Sequence, residues 1–113
     1  MTEVINSAVI DELKDLLAEG FGVLVDRFIA DGQTRINKIE QALAEQDVDV
    51  VYAEAHGLKG SCRNVGAEQM ADYCGQLEAM GQVQNLAGAE PIFSAVVTNF
   101  AAVSQRLQDY ADA

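Results

Sequence analysis

The sequence predicts an all-α protein, an antiparallel four-helix bundle with a short additional N-terminal helix. Three observations predict it. Apolar residues recur at three-and-four spacing along most of the 113 residues; only one proline is present; and short polar stretches separate the apolar runs. One core and one domain, residues 1–113, suit this length.

The first apolar series is Ile10, Leu13 and Leu17, with Asn6 and Ser7 available as N-caps and Gly20 and Gly22 interrupting it. A long second helix starts near Phe21 and carries Phe21, Leu24, Phe28, Ile36, Ile39 and Leu43, loosened in the middle by Gly32 and ended by the polar EQDVD. Asp47 or Asp49 caps a third helix whose stripe is Val48, Val51, Ala55, Leu58, Cys62 and Val65, closed at Gly66. The fourth presents Met70, Tyr73 or Cys74, Leu77 and Met80, with Gly81 as a stop signal. QNLAGAE is a loop. Pro91 then opens a last helix along Ile92, Val96, Phe100, Val103, Leu107 and Tyr110. Each segment is apolar on one side only, and short connections favour antiparallel neighbours.

Eighteen acidic against seven basic residues give a net charge of −11, which disfavours phosphate backbones and anionic lipid as partners. No run reaches the roughly 18 to 20 apolar residues that span a bilayer, and MTEVINSAVIDELK lacks the pattern of a signal peptide, so a cytoplasmic protein is expected. Cys62 and Cys74 occupy helical apolar positions without CxxC spacing and read as buried free thiols.

His56 is the only histidine, and Gly57 and Gly60 follow it in AEAHGLKGSCRNVG. With His56 at zero on a helical projection, Tyr52 falls near −40°, Lys59 near −60°, Gly60 near +40° and Arg63 near −20°, while the apolar stripe spans about 180° to 280°. His56 therefore faces away from the core. Gly57 and Gly60 together forgo about 2 kcal/mol of helix propensity. Gly60 removes a side chain that would crowd the imidazole; the role of Gly57 is not set by spacing. Lys59 and Arg63 add positive charge beside a nucleophilic nitrogen, a local site for phosphate. A solvated, chemically idle helix face is the competing reading. No second histidine or cysteine stands at metal-ligand spacing, and no P-loop, GxGxxG or GxSxG motif is present, so no metal site is expected.

The run Ala55-His56-Gly57-Leu58-Lys59-Gly60-Ser61, followed by Val65-Gly66-Ala67, resembles the H-x-[LI]-K-G-[SA] signature of histidine-containing phosphotransfer (HPt) domains of multistep phosphorelays. The resemblance implies a carrier in which His56 exchanges a phosphoryl group with the aspartate of a receiver domain, most simply through Nε2. It implies that Lys59 neutralises phosphoryl charge and Gly60 gives clearance. Receiver domains of a hybrid sensor kinase and of a response regulator are the implied partners, and the receiver supplies Mg²⁺, with no cofactor bound by this chain. The family often places a polar residue of the next helix near the histidine; Glu78 or Gln82 could stand there, although a carboxylate at Glu78 would repel phosphate if it pointed inward. Arg63 is a supporting residue by spacing alone.

Phe21, Val25, Ile29 and Met80 are candidates for a docking face, against the expectation that apolar residues at this spacing turn inward. Met1 and the lack of a linker favour a free-standing monomer. Without an ATP-binding motif the chain is not expected to phosphorylate itself. The alternative is a helical adaptor or scaffold whose histidine face binds signalling domains without chemistry.

Overall fold

The computed structural model describes residues 4–113 and contains five helices. They are α1 (Ser7–Leu17), α2 (Gly20–Glu45), α3 (Val48–Asn64), α4 (Glu68–Gln82) and α5 (Ala89–Asp112). Helix α2 packs on α3, α3 on α4, α4 on α5 and α5 back on α2, closing a four-helix bundle, while α1 rests on α2.

Local chemistry sets the helix starts. Asn6 Oδ1 accepts from the backbone N–H groups of Ala8 at 3.0 Å and Val9 at 3.4 Å. Asp47 is the cap of α3, accepting from Val50 N–H at 3.2 Å. Two residues connect α2 to α3 and three connect α3 to α4, which forces antiparallel neighbours. The α3–α4 turn places Gly66 at φ 73°, and Gly66 O accepts from Asn6 N–H at 2.8 Å, tying the start of α1 to the far end of α3.

The inward stripes meet as the spacing requires. Phe28, Ile36 and Ile39, Val51, Ala55, Leu58 and Cys62, Met70, Cys74 and Leu77, and Val96, Phe100, Val103 and Leu107 are all buried. Cys74 holds the core position, and Tyr73 packs at its margin. Phe21 and Val25 are also core residues, 2% and 1% exposed, so neither belongs to a docking face; Ile29 and Met80 are partly buried against the core. Leu17 departs from its expected inward place and is 38% exposed, with Leu16 at 77%, because α1 packs chiefly on α2 and buries only Ile10 along its length.

Two glycines act differently from the sequence expectation. Gly32 does not loosen α2: the helix runs through it, and the Phe100 ring occupies the space a Cβ would fill. Gly81 does not stop α4, which continues to Gln82. Instead Gly81 is buried where α4 meets the start of α3, and a Cβ would lie 2.8 Å from Tyr52 N and 2.9 Å from Val48 O. These are backbone atoms in a helix and cannot step aside. Alanine at this site gains about 1 kcal/mol of helix propensity, but overpacking costs about 1–3 kcal/mol and forces α3 and α4 apart. Gly81→Ala is expected to lower the urea midpoint; an unchanged or raised midpoint would show that the two helices separate freely here.

Candidate functional site

His56 lies at the midpoint of α3 with its side chain 62% exposed, on the opposite side of the helix from Ala55, Leu58 and Cys62, which are fully buried. Tyr52, one turn earlier, stacks beside it: the ring centroids are 6.2 Å apart with planes inclined by 14°. Helix α4 supplies the remaining contact. Glu78 Oε2 is 2.8 Å from His56 Nδ1, and Glu78 Oε1 forms an ion pair with Lys59 Nζ.

Glu78 is 13% exposed and Lys59 21%. Lys59 reaches Glu78 by laying its stem across α4, where its Cδ sits 3.6 Å from the position of a Gly75 Cβ. The ammonium of Lys59 foremost, and then His56, holds the Glu78 carboxyl below its ordinary value of 4.5, against the opposing effect of burial. Glu78 is thus an ionised acceptor. The hydrogen bond to it needs a donor at Nδ1, which leaves the lone pair of a neutral imidazole on Nε2. Glu78 does not stand against a phosphate as an unpaired charge. It faces the other ring nitrogen, with its own charge matched by Lys59.

The remaining candidates are distributed unevenly. Gly60 has open space where its Cβ would be, with no atom of another helix within 4 Å. Arg63 is exposed one turn beyond Gly60 and, among the described residues, has no ion-pair partner. Gln82 is exposed at the end of α4 and its side chain makes no hydrogen bond among the described residues, so the polar position next to the histidine belongs to Glu78. Two neighbours were not singled out as site residues from the sequence. Tyr52 was legible as a same-face residue without a role, whereas Arg35, whose guanidinium rests against Gly57, sits 22 positions away on α2 with no local signal.

Cys62 and Cys74 are free, buried and close across the α3–α4 interface; the hydrogen bond between them and their burial push the Cys62 thiol up, away from the reactive thiolate. No cluster of three or more His, Cys, Asp or Glu side chains suited to a metal occurs among the described residues. No described helix is long and apolar enough to cross a membrane.

The model of the family described as Hpt domain matches residues 23–113, a span that contains the whole site. The chain belongs to the Hpt domain family. Among solved structures, histidine-containing phosphotransfer protein B (HptB) from Pseudomonas aeruginosa PAO1 is 25% identical and superposes with a TM-score of 0.93 over 99% of this chain and 97% of that one. A rice chain described as a histidine-containing phosphotransfer protein is 26% identical, with a TM-score of 0.80 over 93% of this chain and 79% of that one. No curated protein sequence matches. Family and neighbours together give the chain a histidine phosphotransfer role in phosphorelays. Hpt proteins act there as carriers, not as classical enzymes, and interact with receiver domains.

The lowered Glu78 value carries a sign. A carboxyl depressed on folding contributes stability that is present above its unfolded value of 4.5 and is lost as pH falls through the lower folded value. The stability difference between the wild type and Glu78→Gln, measured by urea unfolding, is therefore expected to shrink as pH falls from about 6 to about 3. A difference that stays constant over that window would mean that Glu78 is not held ionised by its partners.

Proposed function

We propose that His56 is the phosphoryl carrier, passing the group between the aspartate of a hybrid sensor kinase's receiver domain and that of a response regulator. The observation that carries this reading is the ionised Glu78 on Nδ1, which leaves Nε2 both nucleophilic and pointed away from the bundle.

In the forward step the Nε2 lone pair attacks phosphorus of a receiver acyl phosphate in line. The P–N bond forms as the P–O bond to the aspartyl oxygen breaks, and the carboxylate leaves with that electron pair. The imidazole keeps its proton on Nδ1 and becomes positively charged, and the Glu78 carboxylate stabilises that charge. Return transfer to a second receiver reverses each change. The receiver supplies Mg²⁺; this chain binds no cofactor, and lacking a nucleotide motif it does not phosphorylate itself.

Charge magnitudes support the division of labour. At an effective dielectric near 20, unit charges about 7 Å apart interact by about 2 kcal/mol, so a bare carboxylate near the phosphoryl group would oppose loading appreciably. Lys59, paired to Glu78 and still partly exposed, offsets that repulsion and neutralises the transferred group. Arg63 adds a solvent-exposed cation one turn further. Gly60 is a glycine that nothing inside the chain requires, so the clearance is for a partner. The protein acts as a cytoplasmic monomer in this scheme.

Two variants test it. His56→Gln is expected to take no acid-labile, base-stable label from radiolabelled phospho-receivers that label the wild type. Gly60→Ala is expected to be more stable by about 1 kcal/mol through helix propensity, yet slower in transfer. Equal labelling of wild type and His56→Gln, or labelling of neither, would remove the carrier reading in favour of an adaptor.

A further inference from the structure

Tyr52 touches the carrier histidine but has no part in the proposed chemistry. It stands one turn before His56 on α3, with ring centroids 6.2 Å apart and planes inclined by 14°. That separation lies within the roughly 4.5–7 Å of aromatic pairs and at the outer edge of the roughly 6 Å over which a ring attracts a cation. Core packing does not account for the side chain. Val51 and Ala55 fill the inner face of this part of α3 and are fully buried, whereas Tyr52 is 37% exposed. Its backbone, by contrast, is fixed. The site of a Gly81 Cβ is 2.8 Å from Tyr52 N and 3.0 Å from Tyr52 Cα, so α4 rests on the residue that carries the ring.

Loading changes what lies beside that ring. The attacking imidazole is neutral, with its proton on Nδ1 toward Glu78; once phosphorus is bonded to Nε2 and the proton is kept, the ring carries one positive charge. The groups around that charge divide by direction. Glu78 meets it at Nδ1, in the plane of the imidazole, and is itself matched by Lys59. Arg35 against Gly57 and the exposed Arg63 are cations and oppose it. Tyr52 is the aromatic stacked on the imidazole, and the face of a phenol ring is its negative side. A contact that is stronger for the charged ring than for the neutral one favours the loaded protein by that difference.

We infer that Tyr52 is a positioning residue of the carrier: its ring face stabilises the phosphoimidazolium over the neutral imidazole and so sets how far the transfer equilibrium lies toward phospho-His56. It acts through the imidazole and needs no contact with the phosphoryl group. A carrier that both accepts and returns the group works only if neither side is strongly favoured, so a factor of a few at this ring decides how much of the protein stands loaded. The inference rests on His56 being the carrier and adds what tunes it.

The test is the equilibrium constant for transfer between a receiver domain and this protein. It is approached from both directions, from labelled receiver and from labelled protein, and read as the label on each chain once redistribution stops. Contacts made only while the two chains are docked alter both directions alike and leave this constant unchanged. Tyr52→Leu is expected to shift it about threefold toward the phospho-receiver. Tyr52→Phe stays at the wild-type constant, and Tyr52→Trp, with the ring that binds cations best, at or above it. Circular dichroism establishes that each variant is folded. A folded Tyr52→Leu with the wild-type constant, whatever its rates, overturns the inference and leaves the carrier standing. So does Tyr52→Phe with a constant as low as that of Tyr52→Leu, which would move the effect to the hydroxyl. Absence of label on the wild type from every receiver removes the carrier reading and this inference with it.

Discussion

The backbone contact between α3 and α4 at Gly81 sets the geometry on which everything near His56 depends. With no side chain at Gly81, α4 comes down onto Val48 O and Tyr52 N. From that point the two helices run antiparallel in a fixed register. One turn along α3 from Tyr52 is His56, and one turn back along α4 from Gly81 is Glu78, so the two side chains meet. Another turn brings Lys59 over Gly75 and back to the same carboxylate. Shifting one helix against the other by a single residue would rotate Glu78 by about 100° away from the imidazole.

That register resolves a conflict between charge and function. A carboxylate beside a phosphoryl carrier looks unfavourable in a protein that is already strongly acidic. Here the carboxylate is bound on one side by an ammonium and on the other by the ring N–H, so it orients the imidazole while its charge is offset locally. The same pairing keeps Lys59 next to the histidine instead of loose in solvent, at the entropic expense of one long side chain. Tyr52 stacks against the ring from the preceding turn. The nucleophile is held from two sides and open on the third, toward Gly60.

Much of this arrangement is legible in the sequence. Three-and-four spacing placed Val51, Ala55, Leu58 and Cys62 in the core, and the same projection turned His56 outward with Lys59 and Gly60 beside it. Motif and periodicity are local properties, and both survived folding. What lay beyond them were contacts between helices. Glu78 was visible as a polar candidate, but whether it opposed or assisted a phosphate depended on the α3–α4 register, which itself rests on a glycine that reads in sequence as a helix stop. Gln82, its equal on paper, falls one turn too far along α4. Arg35 could not be paired with Gly57 from spacing because they belong to different helices. Leu17 failed for a related reason: it keeps the three-and-four spacing, but α1 packs lightly on the bundle, chiefly through α2, and leaves its end uncovered. Phe21 and Val25 followed the simple rule and are core.

The carrier chemistry depends on which imidazole nitrogen of His56 is free. Long-range ¹⁵N–¹H correlation spectra of the protein, before and after phosphorylation by a receiver domain, read the protonation of both ring nitrogens directly. The arrangement at Glu78 predicts that the neutral tautomer of His56 carries its proton on Nδ1, and that the phosphoryl group sits on Nε2 after transfer. A neutral imidazole with its proton on Nε2, or a phosphoryl group on Nδ1, would contradict it.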